Sequence, residues 1–500
     1  MLTAPLLALA LSLGQSEAQP RVIEVPMPPA EQPQPAPQPQ PQPQPQPEPI
    51  PIPLPVPDAG TAYPEERAVP LPPPNVFLAP DGGAPPPIGP LQPAPKDTGI
   101  HFYGALELDF TSEPSGPPGG ANDALFGIKP IAAFDAGEWF EAELGAYFRL
   151  RLFDDPPENR STDIGGALRG ADWDEASDFG QIIRRLRIAK EDGPFHVKIG
   201  MATRRTLGLG HLINRYSNQE NPDYHPASLS AVLNIGPTRT EGFISDLFGA
   251  RIYAGEFSFD FGRLTDNPEQ YDRWLFSVSG AGDAGLAGYT APGATLMHSD
   301  FAAVIYKSPA ARILLETGFG ARFDIRSDFG FVTGIAVDAD LGTMQAGGKF
   351  EVRKQYGGFR HGFFGPNYEI SRFASYGFSG PPQALEQLPD NWSLYAELRI
   401  ASGKIVSTDA SFEHFFYGRT DLDFSLALDL WEGRITALSR LGIVGIGLAP
   451  RFNTRTELRV RFLSFMYALA HAGILLSPQP DWTLGRGFYL GIGVGADFRR

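Results

Sequence analysis

The sequence predicts an all-β protein: a transmembrane antiparallel β-barrel of about 16–18 strands, preceded by a disordered proline-rich segment. Three observations support this fold class. Blocks of roughly ten to fourteen residues alternate apolar and polar side chains. An export signal opens the chain, and a proline-rich tract separates this signal from the alternating blocks. Alternation with a period of two is typical of a β-strand that has one apolar and one polar face. Strands of this length suit a tilted crossing of a bilayer.

Residues 1–18 are predicted to be a secretory signal peptide. The apolar core runs from Leu6 to Leu13, and the small residues Ser16 and Ala18 fit the cleavage positions. The core is too short to span a membrane, and no cysteine follows it. We therefore expect cleavage after Ala18 and no lipid anchor.

Residues 19–98 form a proline- and glutamine-rich segment for which we expect disorder. Between Pro33 and Pro57 nearly every second residue is proline. Proline fixes φ and removes a backbone donor, so this segment cannot join a sheet and favours polyproline II. Behind an export signal, the segment is expected in the periplasm. Two roles stay open: a tether to a periplasmic or peptidoglycan partner, and a tail with no fixed partner.

Residues 99–500 are predicted to form the barrel. From Phe140 to Leu152, Phe, Ala and Leu occupy one parity, while Glu, Tyr and Arg occupy most of the other. The same alternation recurs from Trp392 to Ile400 and from Tyr489 to Phe498. We expect the apolar parity to face lipid and the polar parity to face the lumen. The number of strands is ambiguous between Arg455 and Leu476, where one long strand and two short ones fit equally well.

The connections between these strands predict the orientation of the barrel. Short turns are expected at 307–310, 341–342, 402–403 and 432–433, and long connections at 154–178, 204–248 and 356–390. Bacterial barrels keep short turns on the periplasmic side and long loops outside. An even number of strands then places both ends of the barrel in the periplasm. The connection 204–248 either folds into the lumen and narrows it or remains an ordinary surface loop.

The polar parity carries charges of both signs. Opposed acidic and basic walls would create a transverse field across a water-filled pore. Alternatively, the charges pair with one another in a filled lumen. The predicted pore-lining residues are Glu107, Asp109, Glu141, Glu143, Tyr147, Arg149, Arg151, Arg185, Arg187, Lys198, Glu397, Arg399, Arg459 and Arg461.

Arg184 breaks the alternation. Strict parity places it on the lipid face, where an arginine at the bilayer midplane costs about 2–4 kcal/mol. We therefore expect Arg184 near a rim, or a β-bulge that shifts the parity. The arginine-rich string that contains Arg184, followed by the strand Phe195 to Met201, resembles the corresponding strand pair of the phosphate-selective porin family. That resemblance implies that Arg185 and Arg187 are anion ligands.

The last strand resembles the C-terminal signal of bacterial outer-membrane barrels. Phe498 matches the terminal aromatic residue, Ala496 the apolar residue two before it, and Gly493 the glycine five before it. The sequence departs from the pattern because Arg499 and Arg500 follow the aromatic residue. The resemblance implies an assembly signal at Gly493, Ala496 and Phe498 and a location in the cell outer membrane.

Composition and motifs exclude several classes of function. The formal charge of −16 argues against nucleic-acid binding, and the absence of cysteine excludes disulfides and thiolate metal sites. The sequence contains no Gly-x-Ser-x-Gly, His-Glu-x-x-His or phosphate-loop motif. We expect no enzyme activity, cofactor or metal.

The function that best fits these features is a porin-like channel for passive diffusion of small polar or anionic solutes. Its expected partners are outer-membrane lipid and the solutes themselves. The alternatives are a barrel that secretes polysaccharide and a structural outer-membrane component of an envelope complex, tethered by its proline-rich segment. The transported solute and the oligomeric state stay open.

Overall fold

The computed structural model describes residues 100–114, 122–153, 164, 167–190, 193–219, 225–265, 267, 270–284, 294–323, 328–369, 389–403, 405–431, 433–448, 450–478 and 484–499. The expected signal peptide and proline-rich segment lie outside these ranges, so the division of the chain at residues 18 and 98 stays a prediction. Short 3-10 helices span Gly170–Asp172, Ala176–Ile182 and Phe261–Leu264. Among the described residues, no helix is long and apolar enough to cross a membrane.

The strands of the described ranges belong to one antiparallel sheet. They are β1 (His101–Pro114), β2 (Asn122–Asp135), β3 (Phe140–Gly145), β4 (Phe148–Phe153), β5 (Ile183–Ile188), β6 (Phe195–Gly200), β7 (Ser228–Ile235), β8 (Thr238–Ile244), β9 (Ile252–Asp260), β10 (Trp274–Asp283), β11 (Ala294–Lys307), β12 (Ala311–Arg322), β13 (Phe329–Asp340), β14 (Met344–Gln355), β15 (Asn391–Ser402), β16 (Val406–Phe415), β17 (Thr420–Leu430), β18 (Ile435–Ile446), β19 (Arg451–Arg461), β20 (Met466–Pro478) and β21 (Leu484–Arg499).

The sheet closes on itself because its first and last strands pair. Tyr103 of β1 lies opposite Arg499 of β21, and the ladder continues to Ser112 opposite Leu490. β3 and β4 both pair with β2, one after the other, and so form a single interrupted strand. The predicted closed antiparallel barrel is confirmed, with twenty strand positions around it in the described part of the chain.

This number exceeds the 16–18 strands expected from the sequence, and the connection 204–248 accounts for the difference. Interpreting it as one long loop was wrong, because β7 and β8 form a hairpin there with Gly236 and Pro237 between them. These strands have only 8 and 7 residues. Their inward side chains include Ser230, Val232 and Phe243 rather than a run of charges. In the other ambiguous region, Arg455 to Leu476, the structure has two strands, β19 and β20.

The two faces of the wall differ as the alternation predicts. Large apolar side chains such as Leu315, Phe350 and Leu398 are exposed on the outside. Their neighbours in sequence, such as Glu316 and Glu351, are buried on the inside. The barrel therefore has an apolar outer surface and a charged interior. This distribution of side chains is the reverse of that in a water-soluble protein.

A β-bulge resolves the position of Arg184. Glu143 pairs with Arg185, but the next residue, Leu144, pairs with Ile183, so one residue of β5 is left over. The bulge turns Arg184 inward, where its Nε donates a hydrogen bond to Glu143 Oε1 at 2.6 Å. Of the two alternatives for Arg184, the shifted parity is confirmed, and the cost of an arginine facing lipid does not arise.

The connections sort onto the two ends of the barrel. All four short turns expected from the sequence lie at the end that carries the start of β1 and the end of β21, which we call the turn end. The connections after β4, β6 and β14 are long and lie at the opposite end, which we call the loop end.

Gly493 lies in the seam where the barrel closes. A Cβ atom at this position would come within 2.1 Å of the Leu108 carbonyl oxygen and 2.7 Å of the Asp109 Cβ. Glycine is therefore needed for β21 to approach β1. Phe498 is exposed on the outer surface. Whether Gly493, Ala496 and Phe498 also act as an assembly signal stays a prediction.

Candidate functional site: two loops inside the barrel

Two segments of the loop end fold back into the barrel. Loop A comprises residues 201–219, which follow β6, and loop B comprises residues 356–369, which follow β14; we call them together the plug. Leu212 and Ile213 of loop A and Phe359 and Phe364 of loop B are at most 1% exposed. For the connection that follows β6, the infolded alternative is therefore confirmed.

Backbone hydrogen bonds join the two loops. The Gly362 amide donates to the His211 carbonyl at 2.7 Å, and the Phe364 amide donates to the Leu212 carbonyl at 2.9 Å. In return, the Asn214 amide donates to the Phe364 carbonyl at 3.1 Å. The loops thus run beside each other as a short ribbon, which satisfies backbone groups that are buried away from the wall.

One side of the plug packs on the wall through an apolar cluster. The wall contributes Phe243, Ile252, Ala281, Ala294 and Leu296, which lie on β8, β9, β10 and β11. The plug contributes Leu207, Leu212, Ile213, Tyr216, Phe359, Phe363, Phe364 and Tyr368. This part of the lumen has the composition of a soluble protein core, and burial of apolar surface holds the plug there.

The other side of the plug is held by ion pairs. Arg204 lies 2.9 Å from Asp423 Oδ2 and also contacts Asp409. Arg215 Nη1 lies 3.3 Å from a carboxylate oxygen of each of the same two residues. Both arginines adopt a left-handed backbone, with φ of 57° and 54°. That conformation costs about 1–2 kcal/mol per residue, so the contacts with β16 and β17 must offset it.

Further hydrogen bonds extend the attachment around the barrel. Asn214 Nδ2 donates to the Tyr395 hydroxyl on β15 at 2.8 Å, and Lys349 Nζ on β14 donates to the Leu209 carbonyl at 2.7 Å. Arg440 on β18 donates to Ser217 Oγ at 3.2 Å. Loop A therefore touches the wall from β8 to β18 and crosses the interior.

A cluster of histidines and carboxylates lies where the plug meets β11 and β14. His211 Nδ1 is 2.6 Å from Asp300 Oδ1, and His211 Nε2 is 3.0 Å from Glu351 Oε1. His298 Nε2 is 3.1 Å from Nδ1 of His361. Burial works to lower the pKa of His211, but the charges of Asp300 and Glu351 outweigh it and raise that pKa to about 9. Burial holds the pKa of His361 well below its usual value.

A small cavity of about 100 Å³ lies between the plug and the wall from β14 to β18. The lining side chains carry both charges and several aromatic rings. They include Arg215, His361, Tyr368, Arg353, Tyr395, Glu413, Arg419 and Asp423. The Arg353 guanidinium stacks 3.8 Å from the centre of the Tyr395 ring and donates to Glu413 at 2.8 Å. A cavity of this size holds a few water molecules or a very small polar group, which the charged and aromatic side chains can contact.

The residues that the sequence predicted to line the pore lie on the barrel wall. Tyr147 lies between β3 and β4. Most of these residues form an ion pair or a hydrogen bond with a neighbouring side chain. The pairs are Arg149 with Glu113 and Asp172, Arg151 with Asp123, Arg185 and Arg187 with Glu141, Glu143 with Arg184, Arg459 with Glu107, Arg461 with Asp497, Arg399 with Glu397, and Tyr147 with Asp109. Lys198 is half-buried and lies opposite Arg187 in the ladder. The structure brings these charges together as pairs, and their contact with a moving solute stays a prediction.

Little in the sequence indicates the plug residues. His211 finds Asp300 and Glu351 at separations of 89 and 140 residues along the chain. The one usable signal was the abundance of Asn, Tyr and His in the connection after β6. Loop B carried no comparable signal: the sequence predicted a long connection at this end of the barrel, but not that residues 356–369 enter the lumen.

Comparison with known proteins identifies similar architectures but no family. Neither a family model nor a curated protein matches the sequence. Among solved structures, the outer membrane protein OpdK from Pseudomonas aeruginosa has a TM-score of 0.35 and 7% identity, covering 80% of this chain and 99% of that chain. OccK9 (OpdG) from the same organism has a TM-score of 0.36 and 8% identity, covering 80% of this chain and 98% of that chain. Pseudomonas aeruginosa OccK2 (OpdF), solved in complex with glucuronate, has a TM-score of 0.34 and 10% identity, covering 80% of this chain and 96% of that chain.

Proposed function

We propose that this protein is a porin-like channel of the cell outer membrane through which small polar or anionic solutes diffuse passively. The observation that carries the proposal is the closed barrel with an apolar exposed exterior and a charged buried interior. Such an exterior is stable against lipid. A barrel of twenty strand positions also encloses more space than its wall side chains fill, because sixteen-stranded barrels already leave an aqueous channel.

The orientation follows from the two ends of the barrel. Placing the turn end in the periplasm puts the long connections outside the cell, as in other outer-membrane barrels. The same placement puts the start of β1, and with it residues 19–98, on the periplasmic side. Loops A and B then close the barrel from the outer side.

The plug makes this a restricted channel rather than a wide one. Loop A crosses the interior, so a solute passes beside the plug instead of along a clear axis. The cavity between the plug and β14 to β18 has charged and aromatic walls, with Arg215, Arg353 and Arg419 among them. These features favour small polar or anionic solutes over large or apolar ones.

The same plug weighs against the secretion of a polysaccharide. A polymer would need loops A and B to leave the lumen, against an apolar cluster on one side and buried ion pairs on the other. The structural role, in which the proline-rich segment tethers an envelope complex, depends on residues outside the described ranges. It stays an alternative to be tested by deletion of residues 19–98.

The proposal is tested by electrical recording on the purified barrel in planar lipid bilayers. We expect discrete single-channel steps, small for a barrel of this size because the plug fills part of the lumen. Addition of a small organic anion should reduce the current by competing for the path. A folded barrel that inserts into liposomes but passes neither ions nor small sugars would refute the channel function.

An arginine on the outer surface should destabilise the barrel only where that surface meets lipid. Leu315 lies near the middle of β12 and is 47% exposed, and Leu341 lies in a turn and is 58% exposed. Leu315→Arg should lower the free energy of unfolding by about 2–4 kcal/mol. Leu341→Arg should leave the free energy of unfolding almost unchanged. Urea unfolding of the barrel in liposomes measures both. Equal costs for the two variants would mean that the outer surface does not face a bilayer.

A further inference from the structure

We propose that the plug carries a binding site for one divalent transition-metal ion, formed by His211 of loop A and by His298 and Asp300 of β11. The ion would fasten loop A to the wall of the barrel. The site does not depend on whether the barrel conducts, since its ligands are fixed by the fold.

The three donor atoms already converge. His211 Nδ1 lies 2.6 Å and His298 Nδ1 lies 2.9 Å from Asp300 Oδ1, and all three atoms lie within 4.8 Å of one another. Ligands of a tetrahedral zinc ion with bonds of about 2.0–2.1 Å stand roughly 3.3 Å apart. Movements of less than about 1 Å would therefore admit the ion. Two imidazoles and a carboxylate suit Zn²⁺, Ni²⁺, Cu²⁺ or Co²⁺ rather than Ca²⁺ or Mg²⁺.

One of these donors is buried and contacts the carboxylate that would share the ion. His298 is 1% exposed, and its Nδ1 lies 2.9 Å from Asp300 Oδ1. Buried imidazole nitrogens need a polar partner. A metal ion bound between this nitrogen and the carboxylate would serve both groups.

The surrounding residues orient both rings toward the site. His211 Nε2 meets Glu351 Oε1 at 3.0 Å, which leaves Nδ1 to face Asp300. Glu351 is held in turn by Arg353 Nη2 at 2.6 Å. His298 Nε2 meets His361 at 3.1 Å, which leaves its Nδ1 for the ion. A histidine that binds metal with one nitrogen usually donates a hydrogen bond from the other, often to a carboxylate.

Three protein ligands leave a further coordination position, as in metal sites that bind water or a ligand. Loop B is linked through His361, so the ion would stabilise both loops in the interior. Without metal, the Nδ1 proton of His211 occupies this place between ring and carboxylate, and binding must displace it.

The test uses the full-length barrel, stripped with EDTA and then refolded with or without Zn²⁺. We expect one Zn²⁺ per barrel by elemental analysis after dialysis, and a higher unfolding temperature in the zinc-loaded form. His211→Gln, which lies in a loop and leaves the barrel wall unchanged, should weaken Zn²⁺ binding about 10-fold or more and abolish the temperature shift. His298→Gln should do the same.

His471→Gln is the matched control, because His471 lies on β20, where it contacts Thr111 and lies outside this cluster. It should bind Zn²⁺ like the unaltered protein. Co²⁺ in place of Zn²⁺ should give visible absorption bands of low-symmetry coordination, and His211→Gln should lose them. A folded barrel that takes up no Zn²⁺, Ni²⁺ or Cu²⁺ would overturn the proposal. Binding that His211→Gln and His298→Gln leave unchanged would overturn it as well.

Discussion

Replacing Arg204 and Arg215 together by methionine should raise the single-channel conductance several-fold and turn a steady current into a fluctuating one. The two arginines are the ion-pair anchors of loop A on β16 and β17, and both are at most 4% exposed. Their removal leaves Asp409 and Asp423 without the two arginines that pair with them, and Arg440 remains as the cation near Asp423. Breaking a buried pair costs about 3–5 kcal/mol, which is enough to release one side of the plug.

Two further variants show whether the ion pairs themselves cause this effect. Arg455→Met removes an arginine whose side chain is 47% exposed and whose partner, Glu457, lies on its own strand. An exposed pair is worth about 0–1 kcal/mol, so the conductance should not change. Adding Asp409→Asn and Asp423→Asn to the double variant removes the stranded charges and should partly restore the original current. A double variant that conducts like the unaltered protein would show that these pairs do not hold the plug.

The long strands could be predicted because lipid enforces their alternation. Around β12 to β17 the outer residues must be apolar, and the inner residues are mostly charged or small and polar, so period two is plain in the sequence. The prediction failed at β7 and β8. There the inner face is partly covered by the plug, and apolar residues such as Val232 and Phe243 occupy inward positions. When both faces of a strand are apolar, the sequence no longer distinguishes a strand from a loop with apolar islands.

The charged wall was predictable in position but not in pairing. Alternation places Arg149 and Glu107 inside, yet it does not say that Arg149 reaches Asp172 in the loop after β4. Arg184 shows how a single bulge overrides parity, since β5 differs from a regular strand by one residue. The plug was beyond prediction for another reason. Its residues have no period, and contacts such as that of His211 with Glu351 are fixed only when the barrel closes.

Phe364→Ala should release loop A although Phe364 belongs to loop B. The side chain is 0% exposed in the apolar cluster, and its truncation removes about 3–5 kcal/mol of packing. The backbone of Phe364 also receives the Asn214 amide and donates to the Leu212 carbonyl, so loss of its position breaks the ribbon between the loops. We expect hydrogen exchange at the Asn214 amide to become about 100-fold faster or more, while amides in the middle of β14 stay protected.

Phe416→Ala is the matched control, because Phe416 lies in a turn at the loop end and is 59% exposed. It should leave exchange in both loops unchanged. Acceleration confined to loop B in the Phe364→Ala variant would show that the loops pack independently. Acceleration in loops A and B together would show that they open as one unit. In that case any solute that displaces one loop must displace the other, and the channel would have two states, closed and open, rather than a graded series of widths.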